Sequence, residues 1–176
     1  MTTPDLTPHD LGLAAVAALK SGDAPTALAL IAQGADVNTR DDMLDSVLLY
    51  AGAHGYDDVV RAAVAAGGDF TVTNRFGGIA IIPASEKGHP STVQLLIESG
   101  SPLDHVNNLG WTALHEAIVL GDGGPTQQEI VQLLLAGGAD PVLPDREGTS
   151  PRELAVRHGY TEIVAIIDGR LAGREA

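Results

Sequence analysis

Two sets of glycines in this 176-residue chain keep one period, and that period limits the fold more than any other feature. Gly22, Gly55, Gly88 and Gly121 lie 33 residues apart, and Gly159 follows 38 later. Gly34, Gly67, Gly100 and Gly138 repeat the steps of 33, 33 and 38. The return from the second set to the first is 21 residues every time, so the five extra residues fall between Gly121 and Gly138. The chain is therefore an array of like units with one local insertion. A unit this short cannot bury its apolar face alone, so neighbours must stack to make the core.

Within a unit, apolar residues recur at helical spacing before the first glycine, as in Leu11, Ala14, Ala15, Ala18 and Leu19. They recur again before the second, as in Ile130, Val131, Leu133, Leu134 and Leu135. Each segment runs about 8–12 residues, which predicts two short antiparallel helices per unit. The second helix stops at glycine, whose left-handed backbone closes helices well. Apolar residues make up 44% of the chain but aromatics only 3%. The core must then come from Ala, Val, Leu and Ile, which suits closely approaching helices better than a β-sandwich. Thr7, Pro8 and Asp10 supply an N-cap, an N1 proline and a first-turn acid for the first helix.

Specific words recur on this frame. Gly110-Trp111-Thr112-Ala113-Leu114-His115-Glu116-Ala117 matches a G-x-T-P-L-H-x-A signature with Ala for Pro. Gly34-Ala35-Asp36-Val37-Asn38 and Gly138-Ala139-Asp140-Pro141 match a G-A-D-x-N ending. Gly88-His89 and Glu129-Ile130-Val131-Gln132-Leu133-Leu134-Leu135 match the middle of the pattern, and Gly148 to Ala155 opens the last unit. On these residues the sequence resembles the ankyrin repeat family over 7–168. The resemblance implies an all-α fold: an α-solenoid of about four ankyrin repeats plus an N-terminal capping helix pair, with β-hairpin-like fingers between repeats. It divides the chain into units 7–40, 41–73, 74–106, 107–144 with an insertion at 122–126, and 145–168, leaving tails 1–6 and 169–176.

Departures from the pattern carry expectations too. The signature position holds Ser46-Val47-Leu48-Leu49 in unit two and Ile79-Ala80-Ile81-Ile82-Pro83 in unit three. Pro83 lacks an N–H near the fourth helical position, so that helix should begin late or be distorted, which reads either as a tolerated defect or as a widened groove between units two and four. Thr126 and Glu129 have the spacing of a capping box, which predicts an ordered loop through Asp122-Gly123-Gly124-Pro125 and a helix restart at Thr126.

Chemistry is hard to find in the chain. There is no Cys, hence no disulfide, thiolate metal site or Cys nucleophile. No phosphate loop, nucleophile elbow or H-E-x-x-H pattern occurs. The six His are scattered, and His115 sits in the signature word, where the resemblance implies a structural hydrogen bond. Asp57 and Asp58 suit a helix start. Asp41 shares a turn position with Asn74, Asn107 and Asp145, and Asp36, Asp69 and Asp140 recur likewise. A residue repeated down an array is not a unique active site. No catalytic residue, metal ligand or cofactor is expected. The net charge of -13 disfavours nucleic acid, and no apolar run approaches the roughly 20 residues that span a bilayer. A cytoplasmic protein without a secretory signal is expected.

The resemblance also implies where a partner would bind: the finger tips and the exposed side of each first helix. Those 26 positions hold six of the ten basic residues and four of the 23 acidic ones. They include Lys20, Arg40, Met43, His54, Arg75, Phe76, Lys87, Leu109, Trp111, Arg146 and Arg157. In unit four the strip is Val106, Asn108, Leu109, Trp111, Val119 and Leu120, apolar but for Asn108. The expectation is a non-enzymatic module that binds another protein through an acidic segment, with Trp111 central, and that acts as a monomer. Two alternatives stay open: a small-ligand or enzymatic accessory protein using the groove near Pro83 and the 122–126 loop, and a self-associating structural protein.

Overall fold

The computed structural model describes residues 6–173; the outermost residues of both expected tails lie outside them. The described residues form five antiparallel helix pairs and no strand. The first helices of the pairs are α1 (Pro8–Lys20), α3 (Val47–His54), α5 (Ile81–Glu86), α7 (Ala113–Val119) and α9 (Pro151–His158). Their partners are α2 (Ala24–Ala32), α4 (Asp57–Ala65), α6 (Pro90–Glu98), α8 (Pro125–Gly137) and α10 (Thr161–Ala172). Each first helix packs on the next first helix, and each second helix on the next second helix. This is the two-row stack of a solenoid. The last helix continues four residues beyond 168.

The core runs as one band between the rows. Its largest fully buried side chains include Leu19, Ile79, Ile81, Leu96, Leu114, Ile118, Ile130, Leu134, Ile163 and Ile167. Full burial of each such side chain contributes about 1.5–3 kcal/mol. Helix starts follow the expected chemistry in most units. Thr7 and Asp10 form a reciprocal capping box ahead of Pro8. Ser46, Thr112 and Ser150 cap α3, α7 and α9 through their hydroxyls.

Ile79 stands where those caps stand, and it cannot cap. Helix α5 begins one residue later than its counterparts and has only six residues. The backbone explains why. Tyr50, Glu116 and Leu154 each donate their N–H to the carbonyl of the capping residue. Pro83 has none to give, so the N–H of Ile82 bonds the Ile79 carbonyl instead, at 3.0 Å. The late start leaves Pro83 in the first turn, where a missing donor costs little.

One sequence expectation needs correction here. Helix α8 starts at Pro125 with Gly124 as its cap residue and no side-chain cap, so Thr126 is not an N-cap. Proline at N1 presets the helical φ one residue before threonine could act. The insertion is thus part loop and part helix: α8 has 13 residues where α4 and α6 have nine. The hairpin-like fingers are tight turns without strand pairing. Each closes with one reciprocal backbone pair, such as Asn74 N–H to the Gly78 carbonyl and Gly77 N–H to the Asn74 carbonyl, both at 2.9 Å. One pair does not make a ladder.

Candidate functional site

Each finger tip is folded by a single Asp or Asn. Oδ1 of Asp41 accepts from the N–H groups of Met43 and Asp45 at 2.9 and 3.1 Å. Asn74 does the same for Phe76 and Gly78, Asn107 for Leu109 and Trp111, and Asp145 for Glu147 and Thr149. This local bonding throws the intervening side chains outward. Met43, Phe76 and Leu109 are accordingly exposed, at 49%, 54% and 54%. Neighbouring fingers are tied together: Asn108 N–H bonds the Phe76 carbonyl at 2.9 Å, and Arg146 Nη2 bonds the Asn108 carbonyl at 2.8 Å.

The predicted strip residues separate into groups. Arg40, Arg75, Lys87, Arg146 and Arg157 are all exposed, and none forms an ion pair among the described residues. Arg75 lies over the Phe76 ring, 4.7 Å from its centroid. Arg40 reaches the Thr73 carbonyl at 3.4 Å. Lys20 differs: its Nζ sits 2.6 Å from Asp41 and 2.7 Å from Asp45, so its charge is already matched. His54 stacks on Tyr50 with centroids 4.0 Å apart and bonds the Tyr50 carbonyl through Nδ1. His115 is fully buried; Nδ1 is 2.8 Å from Thr112 Oγ1, and Nε2 finds no partner. Trp111 is half-buried, while Val106, Leu109 and Leu120 stay exposed.

Three depressions follow one another along this face. The first, about 390 Å³, joins His54, Arg75, Phe76 and Lys87 with Tyr50 and Pro83. The second, about 190 Å³, shares Phe76, Pro83 and Glu86 with it and continues to Leu109, Glu116 and Leu120. These two form one groove passing over Pro83. The third, about 340 Å³, joins Leu109, Trp111 and Val119 to Arg146 and Arg157. Residues 122–126 line none of the three. That loop faces Gly88 and Tyr160 instead.

Tyr50 and Glu116 are among the lining residues that fall outside the strip positions read from the sequence. They occupy equivalent places one helical turn before His54 and Leu120, and helical periodicity was the available signal. Glu116 is only 6% exposed. Burial and the nearby Glu86 charge push its carboxyl up to about 7, against a lowering hydrogen bond from Asn107.

Known proteins share this architecture. A family model of ankyrin repeats, in three copies, matches residues 48–145 and 84–168. The ankyrin repeat protein YahD of Escherichia coli (strain K12) is 43% identical over 140 residues, 79% of this chain and 70% of its own. The crystal structure of an ankyrin repeat domain, ABAYE2397 from Acinetobacter baumannii AYE, superposes with a TM-score of 0.87 at 47% identity, covering 89% of this chain and 80% of that one. The ankyrin repeat protein EF0377 gives 0.82 at 41%, covering 86% and 77%. No helix among the described residues is long and apolar enough to cross a membrane. The phased helix pairs, the turn-built fingers and these relatives agree: the chain belongs to the ankyrin repeat family.

Proposed function

We propose that this chain is a non-enzymatic binding module whose finger and first-helix face docks an acidic segment of another protein. Ankyrin repeat domains are generally protein-interaction scaffolds, and that coarse role comes with the family. The observation that carries the finer reading is the set of five exposed cations on one face, none within ion-pair distance of an acid among the described residues, on a molecule whose net charge is -13. Opposed potentials would steer encounter and fix register. Exposed Phe76, Leu109 and Leu120, beside half-buried Trp111, supply the apolar contact that such a surface needs. The same reading has a monomer acting in the cytoplasm, and sedimentation at several concentrations checks the monomer.

Photo-cross-linking tests which face docks. A benzophenone side chain placed at exposed Lys87 or Leu120 should capture a partner from the cell. The same group at exposed Gln94 or Gln132, on the second helices, should capture little. Equal capture from both faces contradicts the reading.

A further inference from the structure

The groove over Pro83 changes character along its length. On the side of α7 its floor carries two carboxylates, Glu86 and Glu116, between apolar walls from Phe76, Pro83, Leu109 and Leu120. Glu116 is more than nine-tenths buried. Asn107 Nδ2 donates to its Oε1 at 2.7 Å, and no donor among the described residues bonds Oε2. Among the described residues no cation pairs with either glutamate. Burying a carboxylate without a counter-charge is unfavourable, and the raised Glu116 carboxyl registers that cost. The site is thus short of one positive charge.

A metal ion is a poor fit. Mg²⁺ or Ca²⁺ needs six or more oxygen ligands. The nearby amide oxygens are occupied: Asn74 Oδ1 by two backbone N–H groups, and Asn107 Oδ1 by two more. A cation that brings its own hydrogen-bond donors on an aliphatic stem fits better, since the stem lies along apolar walls while the head meets the carboxylates. The volume of about 190 Å³ is below the roughly 300–1,000 Å³ of small-molecule sites and suits one long side chain.

We propose that this half of the groove takes up a single arginine or lysine side chain of the docked protein segment, with Glu86 and Glu116 as its counter-charges. The proposal rests on the docking role of this face and adds a polarity to it. An acidic stretch lies against Arg75 and Lys87, and one basic residue enters beyond Pro83. The two ends differ in sign, so the segment can bind in one direction only.

Proton competition follows from the geometry. The charged and titratable groups bordering the pocket are Glu86 of α5, Lys87 just after it, and Glu116 of α7, with Arg75 and His54 across Pro83. A cation favours ionised Glu116, so it should bind more tightly at about pH 8 than at about pH 6, where the carboxyl holds its proton.

The test uses the full isotope-labelled chain, with amide shifts followed during titration. The probes are N-acetyl-arginine methylamide, its uncharged isostere N-acetyl-citrulline methylamide, hexaglutamate and MgCl₂. The arginine probe should shift Phe76, Glu86, Leu109 and Glu116 saturably. Its affinity should be about tenfold greater than that of citrulline and should fall about tenfold in Glu116→Gln, as for a lost charge-assisted pair. The amide of that variant still accepts from Asn107, and its spectrum reports whether it is folded; Glu86→Gln is a second variant. Equal response to citrulline, no response to arginine at these residues, or displacement of arginine by MgCl₂ overturns the proposal. Hexaglutamate reads the basic half in the same sample. Binding of hexaglutamate without arginine overturns the pocket alone, binding of arginine without hexaglutamate removes the acidic segment alone, and binding of neither overturns both.

Discussion

Leu44 holds the left-handed backbone position that Gly77 holds one repeat later. Its φ is 62°, against 73°, 90° and 81° at Gly77, Gly110 and Gly148, and it is the one non-glycine with positive φ among the described residues. The finger turn requires this conformation wherever the Asp or Asn three residues earlier ties it. A Cβ there costs about 1–2 kcal/mol, partly offset by the greater unfolded-state freedom of glycine. Leu44→Gly should therefore stabilise the protein by about 0.5–1 kcal/mol, read from the urea midpoint. Gly110→Ala should destabilise by about 1–3 kcal/mol, since its Cβ would also meet Arg146 Cβ at 2.7 Å. A lower midpoint for Leu44→Gly contradicts this account of the fingers.

Glu116 should make stability fall as the solution becomes less acidic. Its ordinary carboxyl value is 4.5, and in the folded protein it is about 7. The folded state holds the proton more tightly than the unfolded state, so this group's contribution is full below 4.5 and is lost as pH rises to about 7. Glu116→Gln removes the ionisable group and keeps the Asn107 bond. At pH 8 the variant should exceed the parent by about 1–3 kcal/mol, and near pH 4 the two should be alike. Parallel pH profiles would show that Glu116 ionises normally.

Trp111 is half-buried beside Val119 and Leu154, so its emission should lie between buried and fully exposed values. Occupation of the neighbouring depression should shift that emission to the blue and shield it from iodide. Trp111→Ala should weaken partner binding by about 2 kcal/mol if the ring is a hot spot. Loss of stability with unchanged binding would assign the ring to packing alone.

How much of this was legible in the sequence depended on range. The glycine period and the words around Thr112 predicted the stack, and the shared turn position of Asp41, Asn74, Asn107 and Asp145 predicted the fingers. Pro83 predicted the late start of α5, because a missing N–H is a local property. Thr126 misled, since Pro125 next to it satisfied the competing requirement at N1 first. Lys20 counted as a free cation until Asp41 and Asp45, 21 and 25 residues away, closed on it. Glu116 was hidden inside a conventional signature word. Its place one turn before Leu120 was a local signal, but its meeting with Glu86 of the preceding repeat is one that no local pattern encodes.

The most direct test of the docking reading is charge reversal on the finger face. Arg40→Glu, Arg75→Glu and Lys87→Glu should be combined, with Lys20→Met as the control, and partner binding measured from about 0.1 M to about 1 M salt, where the Debye length falls from about 10 Å to about 3 Å. The triple variant should stay folded, bind at least about tenfold more weakly at low salt, and lose most of its salt dependence. Lys20→Met should bind like the parent and lose about 1 kcal/mol of stability, because its charge serves two partly exposed internal ion pairs. A triple variant that binds as tightly as the parent at every salt concentration would contradict the proposed docking of an acidic segment on this face.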